Sequence, residues 1–121
     1  MSCLFRSLSY FITNLETEEL REIISDYIAK DPIIIPPDGR LSSYLSLENK
    51  NVNDYSMDMR KNSTWGGAIE IRAFCELFQI KVYVLVLQDN KYIEFVPTNC
   101  KDDHKYIKIS WNGNHYEPIK K

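Results

Sequence analysis

The sequence predicts an α+β fold, with helices in the first two-thirds of the chain and a small, mainly antiparallel sheet in the last third. Two observations lead to this prediction. Apolar residues recur at helical spacing as far as Phe78, and from Lys81 onward they fall into short β-branched runs separated by turn signals. The chain of 121 residues corresponds to one domain at roughly 100–200 residues per domain, so residues 1–121 are expected to form a single unit.

The first two helices are predicted from the spacing of their apolar side chains. Residues 4–12 place five apolar residues on one helical face, and Thr13 and Glu16 have the spacing of a capping box ahead of a second helix. Pro32 is expected to end this second helix because its ring cannot continue one. The apolar stripe of the second helix follows the pattern i, i+3, i+4, i+7 and i+8, with residues Leu20, Ile23, Ile24, Tyr27 and Ile28.

The middle of the chain is predicted to be less regular. Residues 32–54 are interpreted as mostly loop, with a turn signal at residues 36–39. A short helix is predicted over residues 55–61. A third long helix is predicted from Ala68, because apolar side chains again share one stripe there.

The last third is predicted to be an antiparallel meander. Residues 81–87 form a nearly continuous apolar run, as expected for a strand buried on both faces. Residues 92–96 and 106–111 predict two further strands. Asn112-Gly113 is the dipeptide most typical of a two-residue type I′ hairpin turn, so residues 114–119 are predicted to return as the last strand.

Composition and charge exclude several classes of function. Fifteen Lys and Arg residues against 17 Asp and Glu give a net charge of −2, which offers no positive field to attract nucleic acid. No apolar run approaches the ~18–20 residues that cross a bilayer, so no membrane partner is expected. The three cysteines fit neither a disulfide framework nor a zinc motif, and an intracellular compartment and no metal are therefore expected.

Cys3 lies where the first predicted helix begins. A thiol in that position faces unpaired backbone N–H groups and the positive end of the helix dipole, which favours the nucleophilic thiolate. The same N–H groups could bind an oxyanion. The alternative is that Cys3 is a small packing residue beside the chain terminus. Its position alone leaves both interpretations open.

His115 follows the predicted hairpin turn, and Glu117 comes two residues later. Residues i and i+2 of a strand point to the same face, so Glu117 is expected to reach the imidazole. A carboxylate bonded to one ring nitrogen leaves the other nitrogen to serve a nucleophile. The alternative is an exposed hairpin that carries an incidental histidine–glutamate pair.

The segment Trp65-Gly66-Gly67 precedes the third long helix. Two glycines allow another backbone to approach closely, and the tryptophan offers a large rigid wall. Such a strip could line a narrow substrate channel. Equally, it could be an ordinary turn into a helix with a core aromatic residue.

Three blocks of sequence, taken together, carry a more specific signal. They are residues 3–7 (CLFRS), residues 64–71 (TWGGAIEI) and residues 112–119 (NGNHYEPI). In this order, and over nearly the whole chain, they resemble the OTU (ovarian tumour) family of cysteine proteases, which are deubiquitinases. The resemblance implies an OTU-like fold and a thiol protease that hydrolyses isopeptide bonds at the C-terminal tail of ubiquitin or ubiquitin-like modifiers.

The resemblance also implies a role for each matching residue. Cys3 would be the nucleophile, His115 the general base and Glu117 the residue that orients the histidine. Backbone N–H groups of Ser2 and Cys3 would stabilise the oxyanion. The channel for the ubiquitin tail would be lined by Trp65, Gly66, Gly67 and Asn114. The implied partner is ubiquitin or polyubiquitin, the implied enzyme is a monomer without cofactor or metal, and the expected location is the cytoplasm and also the nucleus.

One departure from the family pattern leaves a second interpretation open. The family usually has Asp-Gly-Asn-Cys or a similar sequence at the nucleophile, whereas only Met1 and Ser2 precede Cys3. The domain is therefore expected to be truncated just before the nucleophile. The alternative function is a weak or inactive ubiquitin-binding module of the same fold, and a third is an unrelated interaction scaffold without affinity for ubiquitin.

Overall fold

Helices dominate the first part of the chain and a four-stranded sheet the last part. The computed structural model describes residues 2–35, 39–98 and 105–120. In chain order the elements are α1 (Cys3–Ser9), α2 (Thr17–Ala29), β1 (Ile33–Ile35), β2 (Gly39–Arg40), α3 (Leu41–Ser46), α4 (Val52–Met59), α5 (Ala68–Phe78), β3 (Lys81–Val86), β4 (Lys91–Phe95), β5 (Tyr106–Trp111) and β6 (Tyr116–Pro118).

The second helix begins three residues later than a capping box at Thr13 would place it. Its N-cap is Glu16, whose backbone N–H donates to the carboxylate of Glu19 at 2.9 Å. Asn14 has a φ of 71°, a left-handed conformation that turns the chain between α1 and α2. The predicted capping box at Thr13 is therefore wrong, although the helix itself and its apolar stripe are present.

The predicted loop over residues 32–54 contains regular structure. β1 and β2 pair antiparallel, and α3 follows directly. Ile34, Leu41 and Leu45 are each about 1% exposed or less, so this polar stretch is held by a few apolar residues that reach the core. α4 starts at Val52 because Asn51 caps it, its Oδ1 accepting from the Asp54 N–H at 2.8 Å. Residues 36–38 of the predicted turn lie outside the described residues.

The larger sheet is mixed, with strand order β4-β3-β5-β6. β3 pairs antiparallel with β4, and β5 pairs antiparallel with β6, but β3 and β5 are parallel, in register from Lys81↔Tyr106 to Val86↔Trp111. The prediction of a mainly antiparallel sheet is confirmed, but the predicted meander is wrong. After β4 the chain continues to β5, which pairs with the other edge of β3 and not with β4.

The helices cover one face of this sheet. Val82, Val84 and Val86 are buried, whereas the residues between them on β3 are partly exposed. The expectation of a strand buried on both faces is therefore wrong, because the described residues cover one side of this strand more fully than the other. None of the helices in the described ranges is long and apolar enough to cross a membrane.

Packing around α1 brings distant parts of the chain together. α1 lies against α2 and β6. Gly66, just before α5, approaches α1 so closely that a Cβ there would lie 2.8 Å from Leu4 Cδ2 and 3.1 Å from Phe5 Cε2. The start of α1, the start of α5 and the β5–β6 hairpin therefore meet in one region of the molecule.

Candidate active site

Cys3 is the first residue of α1 and lies against the start of β6. Its side chain is buried, with the residue 6% exposed, and its Sγ accepts a hydrogen bond from the Tyr116 backbone N–H at 3.5 Å. Tyr116 is the residue next to His115. The structure thus brings the predicted thiol and the predicted imidazole segment together from opposite ends of the chain.

His115 belongs to a loop that precedes β6. Trp111 pairs with Tyr116, so the loop has four residues and the prediction of a two-residue type I′ turn is wrong. The Asn112 Oδ1 accepts from the N–H groups of both Asn114 and His115, at 2.9 and 2.8 Å, and Gly113 has a φ of 103°. The side chain of Asn112 therefore organises the loop that carries the histidine.

Glu117 lies beside the imidazole, as the i, i+2 spacing predicts. Its Oε2 is 3.5 Å from Nε2 of His115, within ion-pair distance. The side chains are 68% and 45% exposed, respectively, so water screens their interaction. The geometry gives Glu117 the position of an orienting group and leaves Nδ1 of His115 for other partners.

A cleft of about 350 Å³ joins these side chains. Its walls include Cys3, His115 and Glu117, together with α1 residues on one side and β6 residues on the other. Within the described part of the chain, no group of three or more His, Cys, Asp or Glu side chains could hold a metal ion. Cys3 and His115 bring a thiol and an imidazole to this cleft.

A second cleft, of about 320 Å³, adjoins the first. It is lined by the predicted channel residues Trp65, Gly66, Gly67 and Asn114, with Trp111, Gly113 and Tyr116. Tyr116 lines both clefts, so they meet at this residue. Its ring stacks on that of Trp111 with centroids 6.1 Å apart. We call this second space the aromatic–glycine cleft.

Burial governs the ionisation of Tyr116. Loss of water contact raises the pKa of its hydroxyl, and the nearby Cys3 and Glu70 raise it further. The ring therefore stays neutral at physiological pH, as a wall between the two clefts.

Ser2 is the N-cap of α1, and a buried arginine holds it. Nη2 of Arg21 donates to Ser2 Oγ at 3.2 Å, Nη1 donates to the carbonyl of Met59 at 2.8 Å, and the guanidinium lies 4.4 Å from the centre of the Phe5 ring. Arg21 is 1% exposed, and this burial lowers the pKa of its guanidinium from the ordinary value. The predicted oxyanion segment is thus tied to α2 and α4.

A buried glutamate, Glu70, binds the backbone of the predicted channel segment at Gly67. Oε1 of Glu70 accepts from the Gly67 N–H at 2.7 Å, and Oε2 accepts from the Tyr55 hydroxyl at 2.7 Å. Glu70 is 1% exposed. Burial raises the pKa of its carboxyl, and the hydrogen bonds from Tyr55 and Gly67 oppose that rise.

All of the residues predicted for the site lie in this region, and sequence reasoning missed several of their neighbours. Glu70 carried a signal, because it stands three residues after Gly67, the spacing at which a glutamate reaches back to a helix N-cap. Tyr116 acts through its backbone N–H, for which residue type gives no signal. Arg21 lies on α2, far from the site in sequence, and its contact with Ser2 needs tertiary structure.

Comparison with known proteins identifies the family. Residues 2–116 match the family model of OTU-like cysteine proteases. Ubiquitin thioesterase OTU1 of Saccharomyces cerevisiae is 30% identical over 119 residues, which cover 98% of this chain and 36% of the yeast protein. Ubiquitin thioesterase OTU1 of Homo sapiens is 27% identical over 128 residues, covering 99% of this chain and 33% of the human protein. The chain thus spans about a third of the length of the curated relatives it matches.

Solved structures agree with this result. An OTU domain in complex with ubiquitin superposes with a TM-score of 0.74 at 28% identity, covering 97% of this chain and 62% of that one. The Hazara virus OTU bound to ubiquitin gives a TM-score of 0.68 at 15% identity, a likeness of fold that covers 98% of this chain and 74% of the viral one. The predicted resemblance and the predicted fold class are confirmed, and the chain belongs to the family of OTU-like cysteine proteases.

Proposed function

We propose that this chain is the catalytic domain of a cysteine deubiquitinase, which hydrolyses isopeptide bonds at the C-terminal tail of ubiquitin or ubiquitin-like modifiers. One observation supports the proposal best. The Tyr116 N–H donates to Cys3 Sγ, so the loop that carries His115 lies against the thiol. Membership of the OTU-like cysteine protease family supports the same function.

In the proposed mechanism, Cys3 and His115 form the reacting pair. Nδ1 of His115 takes the thiol proton, while Glu117 beside Nε2 holds the ring in orientation. The thiolate attacks the carbonyl carbon of the isopeptide bond, and a tetrahedral oxyanion forms. Backbone N–H groups of Ser2 and Cys3 stabilise that oxyanion at the start of α1.

Collapse of the intermediate completes the first half of the reaction. The C–N bond breaks, the amine leaves with the proton from His115, and a thioester to Cys3 remains. His115 then takes a proton from water, and the resulting hydroxide attacks the thioester carbonyl. The C–S bond breaks, His115 returns its proton to the Cys3 sulfur and so restores the thiol, and the ubiquitin carboxyl group leaves as a carboxylate after losing its proton to water.

The aromatic–glycine cleft is proposed to receive the ubiquitin tail. Trp65, Gly66, Gly67 and Asn114 line it, and it meets the thiol cleft at Tyr116. Flat aromatic walls around a backbone without side chains suit an extended and unbranched segment of substrate. Two solved OTU structures contain ubiquitin, which supports ubiquitin as the partner.

The second candidate function is a module that binds ubiquitin without cleaving it. Cys3 is only 6% exposed, which favours this candidate. A covered thiol cannot reach the carbonyl of a bulky substrate until neighbouring groups move. The two candidates make opposite predictions about covalent chemistry at this sulfur.

An electrophilic ubiquitin-tail probe tests the proposal. A covalent adduct that peptide mapping places on Cys3 is the expected result. Reversible binding of ubiquitin without an adduct would replace the enzyme by the binding module, and absence of any affinity would remove both. Ubiquitin with an inert C-terminus is the matched control for non-covalent binding.

The remaining expectations belong to the same proposal. We propose a monomeric enzyme that needs no cofactor or metal and acts in the cytoplasm and also in the nucleus. The free thiol of Cys3 suits a reducing compartment. Light scattering of the purified chain and fractionation of cells that express it test the two points.

A further inference from the structure

We propose that Glu70 is a positioning residue, whose buried carboxylate fixes the peptide group of Gly67 and with it the wall of the aromatic–glycine cleft. This inference rests on the proposed function, because it assigns Glu70 to the binding of the substrate tail. Its carboxylate lies behind the strip, where it acts through Gly67 instead of touching substrate.

Both oxygens of this carboxylate accept hydrogen bonds. Oε1 accepts from the Gly67 N–H and Oε2 from the Tyr55 hydroxyl, each at 2.7 Å. Glu70 is 1% exposed, so these bonds form away from water, where a polar group without partners would be costly. The Gly67 peptide is therefore held by a short, charge-assisted contact.

Helix capping alone does not explain this burial. The chain contains a second glutamate in the same position of a helix, Glu19 of α2, whose carboxylate accepts the Glu16 N–H at 2.9 Å. Glu19 is exposed to solvent and still makes the capping contact. Glu70 adds burial and a hydrogen bond from the Tyr55 hydroxyl to the same local geometry.

The two glycines of the strip are held in different ways. Gly66 rests on α1, where a Cβ would contact Leu4 and Phe5. Apart from its two chain neighbours, no described residue has an atom within 4 Å of the position that the Cβ of Gly67 would take. No side chain therefore packs against Gly67 from that direction, and Glu70 supplies the contact that sets the orientation of its N–H.

Orientation of this peptide matters for the proposed substrate. A ubiquitin tail that binds along Trp65, Gly66 and Gly67 would contact their backbone N–H and C=O groups. The direction of these groups decides how well the tail is aligned with Cys3. Loss of the Glu70 carboxylate should thus weaken capture of the tail while the thiol itself keeps its reactivity.

Two electrophiles separate these effects. The ubiquitin-tail probe needs the aromatic–glycine cleft to reach Cys3, whereas iodoacetamide is small and does not. Second-order labelling rates with both reagents, followed at Cys3 by peptide mapping, are measured for the wild type and for the variants Glu70→Ala, Glu70→Gln and Tyr55→Phe. Thermal melting of each variant reports whether it is folded.

Glu76 provides the matched control. It lies on the same helix, its side chain is 12% exposed, and its carboxylate accepts from the Thr98 N–H at 2.7 Å, away from the strip. Glu76→Gln should leave the ratio of the two labelling rates at the wild-type value, although it alters a largely buried carboxylate on the same helix.

The expected result is a selective loss of probe labelling. Glu70→Ala should slow the probe about tenfold or more while iodoacetamide changes less than about twofold, since a lost charge-assisted hydrogen bond is worth roughly that factor. Glu70→Gln should stay within about threefold, because its amide oxygen can still accept from Gly67. With a cleavable ubiquitin substrate, the loss should appear in KM more than in kcat.

Other outcomes overturn the inference in distinguishable ways. Wild-type protein that never reacts with the probe overturns the proposed function, and this inference with it. Wild-type labelling together with equal probe rates in Glu70→Ala overturns the inference alone. Equal slowing of both reagents assigns Glu70 a purely structural role and also overturns it. If Glu70→Ala does not fold, Tyr55→Phe decides, with a smaller slowing of the probe expected and an unchanged ratio contradicting the inference.

Discussion

The backbone N–H of Tyr116 donates to Sγ of Cys3 at 3.5 Å, across 113 positions of sequence. This hydrogen bond joins the start of α1 to the start of β6. It also gives the sulfur a fixed hydrogen-bond donor from the segment that carries His115. The candidate site therefore depends on the complete fold, and each of the following predictions tests one part of it.

Cys3→Ala should abolish cleavage and keep ubiquitin binding, because the substitution removes the nucleophile and leaves the aromatic–glycine cleft in place. Titration of the variant with ubiquitin and a cleavage assay measure the two properties. Cys75→Ala is the control, since Cys75 is fully buried, and its Sγ donates to the Phe95 carbonyl at 3.6 Å, away from both clefts. Turnover by Cys3→Ala would remove this sulfur from the mechanism.

His115→Ala and Glu117→Ala should differ strongly in their cost. Loss of the general base lowers kcat/KM by about 10²–10⁴-fold. The His115–Glu117 pair is exposed, and an exposed ion pair contributes about 0.2–1 kcal/mol, so Glu117→Ala should cost about fivefold at most. Glu94→Ala on β4, an exposed glutamate of the same sheet, serves as control. Equal losses for the two site variants would mean that Glu117 does more than orient the ring.

Gly66→Ala should lower the stability of the fold, whereas Gly67→Ala should weaken substrate binding. A Cβ at Gly66 would lie 2.8 Å from Leu4 Cδ2, and overpacking of this kind costs about 1–3 kcal/mol of unfolding free energy. A Cβ at Gly67 meets nothing within 4 Å, so that variant should fold normally but narrow the aromatic–glycine cleft. Thermal melting and KM for a ubiquitin substrate separate the two. A destabilised Gly67→Ala variant with normal KM would contradict this assignment.

The stability of the wild type relative to Glu70→Gln should fall as pH rises from about 4.5. Burial raises the pKa of Glu70 above its ordinary value of 4.5, so in that window the folded protein binds a proton that the unfolded chain has lost. Folding therefore becomes less favourable with increasing pH up to the folded-state pKa, and the glutamine variant lacks this dependence. The groups facing Glu70 are Arg21, Tyr55 and Tyr116, none of which titrates in this range.

Urea unfolding of both proteins between pH 4 and 7 measures that difference. Cys75→Ala, which leaves Glu70 intact, should follow the wild type in its pH dependence. A wild type that gains stability relative to Glu70→Gln with rising pH would show that the hydrogen bonds from Tyr55 and Gly67 outweigh burial.

Local patterns were enough to predict most of the elements. The stripe on α2 and the alternation on β5 each reflect one apolar face against one core, so period alone identified both. The order of the β-strands was not accessible in the same way. The parallel pairing of β3 with β5 depends on the chain passing from one side of the sheet to the other after β4, which no local pattern records.

The sequence predicted the candidate site residues but not the residues that hold them in place. Residue type and spacing made Cys3, His115 and Glu117 candidates and left alternatives open, and only the resemblance to the OTU family implied a role for each of them. Arg21 escaped notice, since its role depends on reaching Ser2 from another helix. The two-residue turn at Asn112-Gly113 was wrong because the Asn112 side chain accepts from two later N–H groups and opens a four-residue loop.

The ladder that joins β5 to β3, and β6 to β5, has a consequence for the newly made polypeptide. Cys3 is synthesised before His115, and the 112 positions that separate them take roughly 6–22 s to translate at about 5–20 residues per second. Until β5 has paired with β3 and β6 has paired with β5, the Cys3 thiol has no imidazole beside it. Synthesis itself therefore delays assembly of the candidate site, because the thiol and the imidazole meet only after these strands have paired.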